Sequence, residues 1–260
     1  MASIVASGTA LAVLVALLTI ETVAPYFDFF RGRLQLRVTH ALRNFALAAL
    51  NLLPGIVVTT ALWTGATQWA EQHRFGLLYY LPLTGAVRMG AALVVFDAWM
   101  YLWHRLNHRV HVLWRFHRVH HSDPYMDVTT ANRFHAGEIA LSGLARTLVL
   151  PVLGMTLTEL VAYQTALYAI VQLHHANLRL PPKLDRALRW IVVTPDVHKV
   201  HHSRVQAETD SNYGTLFTWW DRLFRTLRLR TDPSDIRFGL HEFDAPRFQT
   251  LAGMLKTPVE

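Results

Sequence analysis

The chain carries fifteen histidines and no cysteine, and twelve of the histidines fall between residues 104 and 202. His104 and His108 stand four apart in HRLNH. His117, His120 and His121 form HRVHH, and His198, His201 and His202 form HKVHH. Residues three and four apart share one face of a helix. Adjacent residues sit about 100° apart around it, so a neighbouring pair can address two different ions. A solvated basic helix does not require the same HxxHH spacing twice, 81 residues apart; metal binding does. His135 in RFHAGE and the His174–His175 pair are further candidate ligands. An all-imidazole set without thiolate suits Fe, Zn, Cu or Ni rather than Mg or Ca. Eight boxed histidines exceed one ion's needs, so two ions with four or five ligands each is the economical reading. The carboxylate set of soluble di-iron bundles, Glu with Glu-x-x-His on facing helices, is missing here. Asp97, two turns before His104 on the same helical face, is expected to accept the free N–H of a ligand imidazole.

The elements that must position these residues are apolar. Of 260 residues, 52% are hydrophobic and only 17% charged, against about 25% charged in ordinary soluble domains. Without cysteine, thiolate zinc sites, iron–sulfur clusters, thiolate haem and disulfides are excluded. Residues 2–20 and 44–70 carry no charge, and about 20 such residues cross a bilayer as helix. The first lacks the basic start of a secretory signal and reads as a retained span. A third block, 75–103, contains Arg88 and Asp97, placed on opposite faces. A fourth, 139–178, is interrupted at Pro151 and Gly154 and reads as a two-helix hairpin.

The loop 31–43 holds four arginines and no acid, which places it in the cytoplasm. The N-terminus is then outside, and the third block and the hairpin return to the cytoplasmic side. Segments 104–135 and 179–204, also basic, lie there with the histidines. The net charge of +7 is thus a topology and anionic-lipid signature, and no nucleic-acid motif accompanies it. The expected architecture is all-α and polytopic: about four to five membrane helices under a cytoplasmic, His-rich helical di-metal cap. Residues 1–75 would be N-terminal spans, 76–230 a catalytic domain and 231–260 a cytoplasmic tail.

The segments HRLNH, WRFHRVHHSDPYMDVTTANRFH, LHHANLRLP and TPDVHKVHHSRVQAETDSNYGTLFTWWDRLFRT resemble the fatty acid hydroxylase superfamily, the sterol desaturase-like integral membrane di-iron enzymes. The resemblance covers roughly 90–230 and is closest to bacterial members and the alkylglycerol monooxygenase branch. It implies two non-haem iron ions that activate O₂ at the cytoplasmic face of a membrane, here the bacterial inner membrane. It implies hydroxylation, desaturation or oxidative cleavage of a lipid such as a sterol, fatty acyl chain or ether lipid. Carried over by motif, the ligands are His104, His108, His117, His120, His121, His198, His201 and His202, with His175 or His174 added. His135 stands as a ligand or a group behind the ligands. Asp97, Asn177 and Asn212 would orient the imidazoles, and Trp103 and Tyr168 would line a lipid cleft.

With no G-x-G-x-x-G and no cysteine, the chain holds no reductant of its own. A separate ferredoxin or b-type cytochrome with its reductase is implied, and Arg105, Arg109, Arg115 and Arg118 offer such an acidic donor a basic surface. Two other classes compete. A metal transporter or storage protein would place its ligands near mid-bilayer on broken helices, and a b-haem cytochrome would leave the HxxHH repeats unexplained. Purified protein is therefore expected to hold about two metal ions per chain without a haem Soret band; elemental analysis finding less than one ion, or a Soret peak, contradicts the di-metal reading.

Overall fold

The computed structural model describes residues 2–260, and the side chains of residues 8, 11–51 and 60–260. The described chain is helical, and isolated bridges, Val192 to Phe217 and Ser203 to Phe238, stand in place of strands. The long helices are α1 (Ala2–Val23), α2 (Leu34–Gln72), α4 (Gly85–Arg109), α6 (Ala136–Leu153) and α7 (Leu157–His175); between them lie the short α3 (Leu77–Tyr80) and the box helix α5 (His111–His121). After α7 come α8 (Pro182–Leu188), α9 (Pro195–His201), α10 (Gln206–Thr209), α11 (Trp219–Leu223) and α12 (Leu251–Lys256). The expected all-α class is thus observed. The apolar stretches 2–20 and 44–70 run within α1 and α2, though part of their side chains lies outside the described residues. Among the described residues, α4 and α6 are long and apolar enough to cross a membrane.

The break in the fourth apolar block falls where Pro and Gly stand. Helix α6 ends two residues after Pro151, and Gly154 caps it at φ 72°, a conformation glycine adopts without steric cost. Thr156 and Glu159 then start α7 as a reciprocal capping box. The two helices pack with α4 around Phe96, Leu150, Met155 and Tyr163, all fully buried. Helix α2 runs against α6, and α1 against α7. The residues 231–260 do not trail away. Met254 of α12 packs on Leu47 and Val119, and Arg118 donates to the Thr257 carbonyl.

The charges inside the apolar blocks pair across helices. Arg88 donates to Glu159 at 2.8 Å, to the Leu78 carbonyl at 2.6 Å and to the Gly154 carbonyl at 2.9 Å, which joins α4 to the turn of the hairpin. Asp97 corrects the expectation placed on it. Its carboxylate takes no imidazole; it accepts from the Tyr163 hydroxyl (2.6 Å), the Thr215 hydroxyl (3.0 Å), the Leu216 and Phe217 amides (3.2 and 3.1 Å) and the Trp220 indole (2.9 Å). The face was read correctly, but the loop 213–221 fills the space beside it before any ligand ring can. That loop crosses over from the cap, so Asp97 fixes the cap to the bundle.

Removing Asp97 leaves those donors buried without a partner, at roughly 1–3 kcal/mol for each such group. Asp97→Ala is therefore expected to destabilise by at least about 3 kcal/mol, read as a marked drop in melting temperature in detergent; an unchanged melting temperature contradicts the anchoring role.

Candidate metal centre

The three boxes arrive from different elements. His104 and His108 end α4, His117, His120 and His121 occupy the last turns of α5, and His198, His201 and His202 lie on and just after α9. Val110, extended between α4 and α5, turns the chain so that α5 folds back on α4. Pro195 sits in the first turn of α9, where its missing N–H costs nothing.

These elements, with His175 from the end of α7, bring nine imidazoles into two groups. One holds His104, His108, His117, His121 and His201; the other holds His120, His175, His198 and His202; within each group the candidate ligand atoms lie within 4.8 Å of one another. The adjacent pairs His120–His121 and His201–His202 each send one ring to each group, as the angular spacing predicts. The His121 and His202 rings, from opposite groups, stack with centroids 4.4 Å apart.

The orientation of the rings is set from behind. His104 faces the Tyr213 carbonyl through Nδ1 at 2.9 Å, His201 the Ser211 carbonyl at 2.7 Å, His175 the Val171 carbonyl at 2.7 Å and His117 the Glu138 carboxylate at 2.7 Å. An acceptor on Nδ1 keeps the proton there and turns the Nε2 lone pair inward. In the four-histidine group the Nε2 atoms of His120 and His175, His175 and His198, and His198 and His202 are each 3.1 Å apart. Imidazole nitrogens bound to one ion at about 2.0–2.1 Å stand roughly 2.9–3.4 Å from one another in adjacent ligand positions. In the five-histidine group both ring nitrogens of His108 and His121, and the Nε2 atoms of His117 and His201, are buried without a hydrogen-bond partner. Burial pulls the His120, His121, His198 and His202 rings well below the usual imidazole value, and pulls His201 down to about 3. They are neutral, the form that binds metal. This donor set fits two ions, one of five and one of four imidazoles.

Two candidate ligands lie outside both groups. His135 accepts from the Gly137 amide at 2.9 Å and caps α6, so the RFHAGE histidine is a helix cap. His174 turns away on α7 and stacks on His198 at 3.8 Å, while His175, one residue on, enters the group. Asn177 and Asn212 contact no imidazole either. Asn177 brackets Phe27 through its amide and carbonyl, both at 2.8 Å. Asn212 holds the Val197 and Arg228 carbonyls at 2.9 and 2.7 Å from a backbone at φ 53°. Both short polar side chains find backbone partners nearer than any ring. Trp103 is partly buried at the end of α4 and Tyr168 is 53% exposed on α7, so only the first of the two proposed cleft residues is enclosed.

The NYG and WDR sequences acquire a purpose. The Asp221 carboxylate accepts from the Tyr213 and Gly214 amides, both at 2.8 Å, and from the Thr226 hydroxyl at 2.7 Å. A Cβ on Gly214 would sit 2.7 Å from the Phe217 carbonyl and 2.8 Å from Asp221, so only glycine fits this clamp. The clamp sets the Tyr213 carbonyl against His104 and lays the Tyr213 ring 5.2 Å from that of His108.

A second clamp lies behind box two. Asp123, in HHSD, takes His40 of α2 at 2.9 Å and the Thr130 hydroxyl at 2.9 Å. Burial lowers the His40 imidazole, but Asp123 and Asp127 outweigh it and push it up to about 10. Buried Arg133 holds the Val119 carbonyl at 2.9 Å and Ser122 at 3.0 Å. His40 is thus a structural cation rather than a ligand. Glu138, the acid that holds His117, carried no sequence signal beyond being the lone acid of α6.

Partners of this kind typically raise metal affinity 10- to 100-fold. Glu138→Ala is expected to weaken metal retention by about that factor, measured by competition with a chelator, while Glu138→Gln recovers part of the loss. Undiminished retention in the Ala variant contradicts the role given to Glu138.

Comparison with known proteins agrees with this geometry. The family model for fatty acid hydroxylases matches residues 89–226, which span all three boxes and the NYG and WDR sequences of the cap. An ornithine lipid hydroxylase of Rhizobium tropici is 33% identical over 161 residues, 61% of this chain and 46% of its own length. The human alkylglycerol monooxygenase is 26% identical over 223 residues, 84% of this chain and 47% of its own. A cholesterol 25-hydroxylase-like protein of Danio rerio is 30% identical over 142 residues, 54% of this chain and 55% of its own. The chain spans about half the length of these curated relatives. No solved structure matches it. With its histidine boxes gathered by the stretch that the family model covers, the chain belongs to the fatty acid hydroxylase family.

Proposed function

We propose that the protein is a multi-pass membrane oxidoreductase that hydroxylates or desaturates a lipid at a non-haem di-iron centre, with O₂ as co-substrate. The observation that carries the proposal is the pair of imidazole groups with inward nitrogens at one end of an apolar helical bundle. Two iron ions there would supply the activation of O₂ and the oxidation of a C–H bond.

The chain's own residues hold the site ready. The Tyr213, Ser211 and Val171 carbonyls and Glu138 keep protons on the Nδ1 atoms of His104, His201, His175 and His117, so these four rings need not reorient to bind metal. Phe134 stacks on His120 at 4.5 Å, and Trp114 lies 5.1 Å from His108; these rings exclude water from two edges of the site. A lipid tail can stay in the hydrocarbon layer while the carbon to be oxidised reaches the ends of α4 and α7. The relatives' names, an ornithine lipid hydroxylase, an alkylglycerol monooxygenase and a cholesterol 25-hydroxylase-like protein, support a lipid substrate.

The basic loop 31–43 and the basic stretches beside the boxes favour a cytoplasmic catalytic face in a bacterial inner membrane. Electrons come from a separate ferredoxin or b-type cytochrome with its reductase. Arg105 and Arg109, beside the boxes, are the surface offered to it, while Arg115 and Arg118 donate to the Pro258 and Thr257 carbonyls.

The experiment is a comparison of lipid extracts from cells with and without the gene, grown under ¹⁸O₂. A lipid gaining one labelled oxygen is expected for hydroxylation, and a loss of two hydrogens for desaturation; extracts that differ in neither way contradict the proposal. His120→Ala should lower product at least about 100-fold, near 2.7 kcal/mol of lost barrier reduction, while the protein stays in the membrane fraction. Undiminished turnover rules His120 out as a ligand.

A further inference from the structure

The apolar stretches of α4, α6 and α7 contain five formally charged side chains, Arg88, Asp97, Glu138, Arg146 and Glu159. Four of them are partnered: Arg88 with Glu159, Asp97 with the loop 213–221, and Glu138 with His117. Arg146 is the exception. It sits mid-way along α6, partly buried, with its Nε enclosed and without a hydrogen-bond partner. Its guanidinium lies over the Trp63 ring, 5.4 Å from the centroid. No acid forms an ion pair with it among the described residues, Glu138 acting on it only from a distance, and residues 52–59 of the neighbouring α2 (LLPGIVVT) contain none.

An ionisable group inside an apolar bundle is expensive and is usually paired. A chain that satisfies the other four charges in these apolar stretches and leaves one guanidinium open reserves it for something that is not protein. Further unpartnered polar atoms lie on the same helices. At the metal end these are the Trp103 indole N–H beside His104, the Gln172 carbonyl near His174, and the second oxygen of Glu138. Deeper are the Trp99 indole N–H and the Gln164 carbonyl. Glu138 to Arg146 on α6, and Gln172 to Gln164 on α7, are each eight residues, two turns or about 12 Å. Unpartnered donors and acceptors therefore occur on these helices both at the metal end and about two turns deeper, at the level of Arg146.

We propose that Arg146 binds the anionic oxygen group of a lipid whose other part extends toward the metal centre, about two turns along α6. Guanidinium pairs with carboxylate or phosphate oxygens in a planar, two-point geometry, and a carboxylate or a phosphomonoester on a single-chain lipid offers that same chemistry. The placement deepens the lipid-oxidation reading, because it would make the substrate an acidic lipid. The binding itself requires no turnover.

The test uses the full chain in neutral detergent and three probes that share a chain: oleic acid, its methyl ester and oleoyl lysophosphatidic acid. Equilibrium binding of each is measured at alkaline pH to wild type, Arg146→Met and Arg146→Lys. Wild type is expected to bind oleate, lysophosphatidate or both at least tenfold more tightly than the ester, and the preferred acid identifies the source. Arg146→Met should lose that preference while keeping its affinity for the ester, which also reports that the variant is folded. Arg146→Lys should retain part of the preference. The lipid-free melting temperature of Arg146→Met should equal or exceed that of wild type, because a buried charge without a partner stabilises nothing. Equal binding of acid and ester by wild type overturns the proposal, as does a preference that survives in Arg146→Met. A protein that binds acids through Arg146 but oxidises no lipid would leave this inference standing and remove the reading of the activity.

Discussion

Nine imidazoles gathered into two groups, their nitrogens turned toward one another, are the constraint on which the rest of the structure depends. Rings buried this deeply forfeit water, and several of their nitrogens find no protein partner. Unsatisfied polar atoms in such numbers oppose folding. Four of the rings, His104, His117, His175 and His201, are held from outside by a carbonyl or a carboxylate on the far nitrogen. A bound cation then converts a set of unfavourable contacts into bonds, so metal binding is also a folding term.

The surrounding architecture can be read as support for that arrangement. Asp97 ties the loop 213–221 to the bundle, Asp221 shapes the same loop into a tight turn, and the turn delivers the Tyr213 carbonyl to His104. Asp123 with His40, and Arg133 with the end of α5, fix the second box from the opposite side. Carboxylates are scarce in this chain, and those near the site are used as anchors for backbone and for imidazole N–H groups. None is placed as a ligand. That use distinguishes the site from carboxylate-bridged helical bundles.

Much of this was legible in the residues. The HxxHH spacing placed adjacent rings in separate groups because the helical angle leaves no other outcome, and Pro151 with Gly154 marked the hairpin turn because neither continues a helix. What escaped was set by long-range packing. Asp97 shares a face with His104, yet a loop from 119 residues later, at Leu216, occupies its oxygens. His135 looks like a ligand, but its position just before α6 makes it a cap. Glu138 and His40 could not be singled out, since their partners lie 21 and 83 residues away and nothing in local spacing reports such meetings.

The central claim is that this chain holds two ions, close together, each in an all-imidazole shell. X-ray absorption on iron-loaded protein addresses it most directly. The account predicts a first shell of nitrogen at about 2.0–2.2 Å with imidazole outer-shell scattering and no sulfur, with four to five imidazoles per iron. A spectrum dominated by oxygen ligands, or one fitted by only one or two imidazoles per iron, would contradict it.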